Sequence, residues 1–366
     1  MERIVVAGVN ARNIVRSARI SGFEVYSIAK YCDEDLKLYS KSAIKYEDIE
    51  EGIEKLKCLC ESYNLQAVCS TGFERFAKKL SKKINLIGSY DYSCLDKLKF
   101  YKKLKKSGIN CPELLKKGED KTKLILKPRF GGGGVGTKLL YNLNNKIYTK
   151  DYILQEFIEG VTVSAIVVCS EGKSKCLTLN LLLSGYRSMN AYDFLYSGNI
   201  TPLHRKQVEK IFSCKLDNNL IEKAKKMAEE TALLFETQGC AGIDMIISSK
   251  DVYVIEMNPR IPGSLDSFEI SFEKSLFKIH YNAFYGKMEQ SIKPKRFGLR
   301  MIYYAPRKLK AYIPICNPFF SDIPSKGEIF YCQQPVTSIL ASGQSILKKL
   351  YDRKKLLEEN FLRWLN

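Results

Sequence analysis

Asp244, Glu256 and Asn258 carry the first chemical signal of the chain. They lie in Gly239–Ser264, GCAGIDMIISSKDVYVIEMNPRIPGS. Ile243, Met245 and Ile247 alternate with Asp244 and Ile246, Ser248 to Asp251 supply turn chemistry, and Val252 to Met257 return as a second strand. A turn centred on Lys250 sets Asp244 opposite Glu256, with Asn258 on the same face as Glu256. Directly opposed cross-strand side chains lie about 4.5–5.5 Å apart, where like charges repel. A divalent cation removes that penalty. Three oxygen donors are too few to fill its shell, which suits Mg²⁺ (or Mn²⁺) that keeps water and phosphate oxygens as further ligands. Taken alone, the same residues also fit an edge ribbon with two solvated carboxylates.

A second signal is KPRFGGGGVG, with Gly131, Gly132, Gly133, Gly134 and Gly136. It contains a G-x-G-x-x-G, but the segment after it reads as a strand rather than a helix, which excludes a dinucleotide-binding turn. The absence of Gly-Lys-Ser/Thr opening a helix excludes a P-loop. What remains is a glycine flap between antiparallel strands, whose backbone N–H groups can close over phosphates while Lys127 adds positive charge.

These motifs fall in an order and spacing that resembles the ATP-grasp superfamily of ligases: Asp96-Lys97 opening a helix, Lys127 before the flap, Gln155-Glu156-Phe157-Ile158-Glu159-Gly160, Asp244, and Glu256-Met257-Asn258-Pro259-Arg260. The likeness covers roughly residues 1–300 and is similar to predicted archaeal ATP-dependent carboligases and to the ligase of pyrrolysine synthesis. It implies that Lys97 and Lys127 hold ATP phosphates under the glycines. The backbone of Glu156 and Ile158 would pair with the adenine edge, flanked by Gln155 and Phe157. Asp244, Glu256 and Asn258 would bind one or two Mg²⁺, and Arg260 would stabilise an acyl phosphate or its transition state. The chain departs from the pattern at Thr162, where an acidic residue for the ribose hydroxyls is frequent, and at Gln155, where Glu is frequent. Biotin carboxylases continue past the arginine with an acidic, histidine-containing segment; Ile261-Pro262-Gly263-Ser264 stands here, which disfavours carboxylation. The implied reaction joins a carboxylate to an amine through an acyl phosphate, releasing ADP and phosphate, in amino-acid or coenzyme biosynthesis. Carboxyphosphate chemistry is the alternative enzyme reading. Arg187, in the long 184–202 connection, is the candidate for the substrate carboxylate. The two histidines, His204 and His280, leave little room for imidazole catalysis.

The elements that must position these groups read as α/β and α+β. Strands over 3–9 and 23–29 flank a helix over 11–20, helices over 47–63 and 73–83 alternate with strands over 67–70 and 85–88, and a parallel sheet follows from that order. A helix over 96–107 leads to strands over 124–127, 137–143, 153–158, 161–169 and 176–183. Helices over 218–237, 265–285 and 345–365 are expected, with short proline-punctuated strands from 293 onward. The resulting organisation is an ATP-grasp fold in three parts: a parallel-sheet domain over 1–93, an ATP-grasp domain over 94–290 with its flap subdomain at about 115–160, and a C-terminal antiparallel-sheet subdomain over 291–366.

Composition narrows the setting. The 366 residues are 45% hydrophobic and 27% charged, as in a globular protein rather than a disordered one. The apolar run after Met1 is too short for a signal core, and no segment approaches a membrane span, so a cytoplasmic location without membrane partners is expected. The twelve cysteines include no C-x-x-C, and Cys58 and Cys60 form only a C-x-C, so reduced thiols are expected. The net charge of +19 admits nucleic acid or polyanionic small molecules as partners. Its lysines sit at helical spacing among apolar residues, as solvated faces do, so small-molecule carboxylate and amine substrates are favoured over nucleic acid. A basic nucleic-acid-binding or regulatory protein retaining the fold is the reading from a different class. A homodimer is a family-level expectation.

Overall fold

In a computed structural model, which describes residues 1–90, 93–115, 123–141, 150–289 and 291–365, the first strand is Arg3–Gly8. It pairs in parallel with Glu24–Ala29 and Gln66–Cys69, and Ser42–Lys45 extends the sheet to four strands. Ile4, Val5, Val6 and Ala7 are all buried, the continuous apolar run of a strand covered on both faces. Val5 and Ala7 pack with Leu56 and Cys60 of the helix Ile49–Tyr63. Ile4 and Val6 share a cluster with Ile14 and Ala18 of Arg12–Ile20 and with Leu265 and Phe268 of Leu265–Phe272. The 73–83 helix is instead a 3₁₀ turn, Glu74–Phe76, followed by Ala77–Leu80, and the 85–88 segment meets the sheet only through the bridge Ala67–Leu86.

An eight-stranded antiparallel sheet forms the centre. Its order is Val252–Asn258, Gly239–Ile247, Val161–Ser170, Lys173–Ser184, Tyr196–Thr201, Gly298–Tyr304, Pro335–Ser342 and Phe320–Ser321. The helix Asn218–Leu234, capped by Asp217, buries Ala224, Met227 and Ala228 against it. Tyr196–Thr201 falls inside the predicted 184–202 connection. Its sequence YSGNIT looks like a loop, yet Asn199 and Thr201 are buried and bonded to the side chains of Ser267 and Asn180, so polar groups line the interior without being orphaned. The predicted 265–285 helix is broken. Glu273 takes a left-handed φ of 54° after Leu265–Phe272, and Ser275 caps Leu276–Phe284 through the Lys278 N–H at 3.0 Å. The last helix, Ile346–Asn360, likewise stops early, and Leu362–Trp364 pairs with Leu309–Ala311.

A separate three-stranded sheet of Lys138–Leu140, Leu124–Pro128 and Tyr152–Glu156 carries the glycine loop. The end of the predicted 137–143 strand lies outside the described residues. Buried charges tie the parts together. Arg12 donates to both oxygens of Asp266 at 2.9 and 2.6 Å and reaches Asp322 at 3.0 Å, while Arg300 reaches Asp322 at 2.8 Å. Desolvation alone would penalise such groups, but facing carboxylates hold the Arg12 guanidinium firmly protonated and the two arginines hold the Asp322 carboxyl well below its ordinary range.

Candidate active site

The 239–258 hairpin places Asp244 opposite Glu256 by a device the sequence does not advertise. The turn closes between Ser248 and Asp251, whose backbones bond at 2.9 Å, and the register runs Ile247 to Val252, Ile246 to Tyr253 and Met245 to Val254. Continued unchanged, it would set Asp244 against Ile255 and turn Glu256 toward the core beside Ile243. A bulge at Ile255 inserts one residue, after which Asp244 faces Glu256, Ile243 faces Met257 and Gly242 faces Asn258. The hydroxyl of Tyr101, fully buried on the helix Lys97–Lys106, donates to the Ile255 carbonyl and satisfies the bulge.

Burial, and then Glu256, push the Asp244 carboxyl up to about 7, and Ser164 donates to it at 2.5 Å. The pair is therefore strained in its ionised form, and a cation between the two carboxylates relieves it. The donor set suits a hard cation that draws further oxygens from a ligand. Among the described residues no three His, Cys, Asp or Glu side chains gather as a metal site; Asn258 is the further oxygen donor that lines the same cleft.

The phosphate side is built from the helix start and the glycine loop. Asp96 caps the helix through the Leu98 N–H at 3.1 Å and clamps Arg129 at 2.8 and 2.6 Å, and the Lys97 N–H bonds to the Arg129 carbonyl at 3.1 Å. This ties the helix to the strand leading into the flap. The Lys97 ammonium donates to the Gly131 carbonyl and lies 3.7 Å from Glu256. Lys127 has no carboxylate in ion-pair range among the described residues. Desolvation lowers its amine to about 8, with Glu256 opposing and Lys97 adding to the shift. A phosphate would supply the charge it lacks. The flap lies over Glu256, since a Cβ on Gly132 would come 3.4 Å from Oε1. Gly134, at φ 76°, is pressed so closely on the Phe194 carbonyl that a Cβ would fall on it.

One cleft of about 840 Å³ is lined by Lys97, Lys127, Gly131, Gly132, Gly133, Gly134, Glu156, Phe157, Ile158, Thr162, Asp244, Glu256, Asn258 and Arg260. Three predicted residues are not brought there. Gln155 is wholly buried with its amide donating to the Pro112 carbonyl at 3.3 Å, because alternation along Tyr152–Glu156 turns it inward. Gly136 closes the loop against the Pro128 ring instead. Arg187 is exposed on a 3₁₀ turn whose neighbours are drawn to the C-terminal strands, Asn190 bonding to the Tyr304 carbonyl at 2.9 Å. The Glu156 N–H bonds to the Glu113 carbonyl at 3.1 Å, so any base pairing through Glu156 must use its carbonyl.

Other groups at the site carry no motif. Arg260 is gripped from two sides, by the Asn258 side-chain oxygen at 2.9 Å and by Glu74 at 3.2 Å. Glu74 follows the C-terminal end of the parallel strand Gln66–Cys69, where its neighbour Thr71 lines the cleft. A carboxylate shortly after a strand end and a glycine is its only sequence signal. Ser164 had a clearer one, since Thr162 and Ser164 alternate within an apolar strand. Tyr101 reads as an ordinary helix-stripe residue, and Phe194 and Tyr196 as part of a loop.

Residues 94–264 match the ATP-grasp domain family. An uncharacterized protein of Methanocaldococcus jannaschii is 29% identical over 96% of this chain and 91% of its own length. Among solved structures, the chain superposes on L-amino acid ligase from Bacillus licheniformis with a TM-score of 0.74, at 16% identity over 100% of this chain and 99% of that one. N5-carboxyaminoimidazole ribonucleotide synthetase from Thermotoga maritima gives 0.69 at 17% identity over 99% of each chain. Biotin carboxylase from Campylobacter jejuni gives 0.75 at 16% identity, over 98% of this chain and 92% of that one.

Proposed function

From an ATP-grasp domain over residues 94–264, within a chain of ATP-grasp fold, we infer an ATP-dependent ligase that joins a carboxylate to an amine through an acyl phosphate. The observation that carries this reading is the convergence on one cleft of two lysines, a glycine flap, an opposed carboxylate pair and Arg260. Lys97 and Lys127 neutralise the ATP phosphates, and the flap excludes water from them. Asp244, Glu256 and Asn258 would hold Mg²⁺ (or Mn²⁺), which when bound shields charge between phosphate oxygens and protein carboxylates. Arg260, oriented by Glu74, faces the end of the cleft where the carboxylate substrate accepts the γ-phosphoryl group. The amine then attacks the acyl carbon, forming the C–N bond and expelling phosphate.

L-amino acid ligase, the ribonucleotide synthetase and biotin carboxylase share the fold, so fold alone does not choose between them. Pro262, Gly263 and Ser264, the cleft-lining residues that follow Arg260, bring no carboxylate or imidazole of their own, which favours the carboxylate-amine reaction. The reading includes small-molecule substrates, a cytoplasmic setting, a homodimer and a part boundary near residue 93, while the stretch from 291 onward adds three strands to the central sheet. The test is ADP release from ATP with Mg²⁺ and amino acids supplied in pairs. Release that needs both partners and is lost in Glu256→Ala supports the ligase. Wild-type activity in Glu256→Ala removes the metal assignment, and release driven by bicarbonate alone moves the protein to carboxyphosphate chemistry.

A further inference from the structure

We propose that Phe194 is a nucleotide-base residue, brought across the cleft by the connection between the strands Lys173–Ser184 and Tyr196–Thr201; this rests on reading the cleft as an ATP site. Phe157, beside the backbone assigned to the adenine edge, and Phe194 meet with ring centres 6.4 Å apart at 64°. Both rings are half-buried and line the cleft, yet neither belongs to any of the four hydrophobic clusters among the described residues. Their apolar surface therefore has no packing partner within the core. A planar ligand entering along Glu156–Ile158 supplies one, at the centroid spacings aromatic pairs adopt.

The Phe194 ring is held where it stands by its backbone. The Tyr196 N–H bonds to the Gly133 carbonyl at 2.9 Å, and the Gly185 N–H to the Leu195 carbonyl at 2.8 Å. The Phe194 carbonyl abuts Gly134. Farther back, the hydroxyls of Tyr186 and Tyr351 bond at 2.8 Å and fasten the connection to the C-terminal helix. The ring that closes the base end of the cleft is thus fixed to the same segment that docks the phosphate flap. Base and phosphates are recognised by one connected segment rather than two, and the ligand class is a nucleotide rather than a bare polyphosphate.

Isothermal titration of the full chain with ADP and, separately, with tripolyphosphate tests this. In Phe194→Ala the Kd for ADP is expected to rise about tenfold, the range of losing one base–aromatic stack, while that for tripolyphosphate changes by less than about twofold. Phe194→Trp is expected to keep ADP affinity and to gain an emission change with ADP that wild type lacks and tripolyphosphate does not cause. Unchanged ADP affinity in Phe194→Ala, or equal losses for both ligands, overturns the assignment, the second result making Phe194 a support for the flap alone. Wild-type protein that binds neither ADP nor ATP overturns the nucleotide-site reading itself, which distinguishes the two failures.

Discussion

Lys127 should take up a proton when a nucleotide binds. Its amine, near Lys97 and with no carboxylate in ion-pair range among the described residues, is lowered from 10.5 to about 8, chiefly by desolvation, with Glu256 opposing. A shift of that size corresponds to about 3 kcal/mol against the protonated form. Between pH 8 and 10.5 the unfolded chain carries this proton and the folded chain does not, so stability rises with pH across that window. Phosphate oxygens placed against the amine restore its ordinary affinity for the proton. At pH 8.5 the amine then passes from about one quarter to nearly full protonation, an uptake of about 0.75 proton per ADP. Titrating metal-free protein with ADP in two buffers of different ionisation enthalpy measures that number as the slope of apparent against buffer enthalpy. Lys127→Met should bring the slope close to zero. A wild-type slope of zero, or an equal slope in the variant, refutes the reasoning and places the phosphates elsewhere.

Glu74→Gln should lower carboxylate-dependent ADP formation by about 10²-fold, the loss typical of a reacting group misplaced by an ångström, while ADP affinity stays within about twofold; equal losses in both would show that Glu74 supports the whole cleft. Gly134→Ala combines a left-handed φ with collision against the Phe194 carbonyl, so ADP affinity should fall at least about tenfold while Tm moves by only a few degrees, the flap lying outside the core. Tyr101→Phe leaves the Ile255 carbonyl without its donor and should cost about 1–3 kcal/mol in urea unfolding, with weakened Mg²⁺ dependence if the bulge holds the carboxylate register.

The candidate site was legible where residue type and spacing themselves fix which side chains share a cleft. Four consecutive glycines, a lysine on the preceding strand and an opposed carboxylate pair can be read without coordinates. The register of that pair was reached from a turn centred on Lys250 when it lies between Ser249 and Lys250, and the Ile255 bulge makes up the one-residue difference in register. A bulge leaves no mark on a pattern of alternation when the inserted residue is itself apolar. Gln155 shows the converse: it lies within the right motif, but strand alternation turns it away from the cleft. Tyr196–Thr201 was hidden because its interior face is polar and satisfied by residues from elsewhere in the chain, which local periodicity cannot register. Glu74 and Phe194 act across long sequence separations, and only tertiary packing brings them to the site.

The central sheet has a consequence for anyone shortening the chain. The stretch that matches the ATP-grasp domain ends at Ser264, after five of the eight strands, and the remaining three come from Gly298–Tyr304, Phe320–Ser321 and Pro335–Ser342. A cut there would strip Tyr196–Thr201 of its neighbour and open Asn199 and Thr201, both fully buried, to water. It would also leave Asn199 and Thr201 without Ser267. The stretch that matches the domain family is thus shorter than the stretch that completes the sheet, and a fragment able to fold by itself must run well past Arg260 and Ser264.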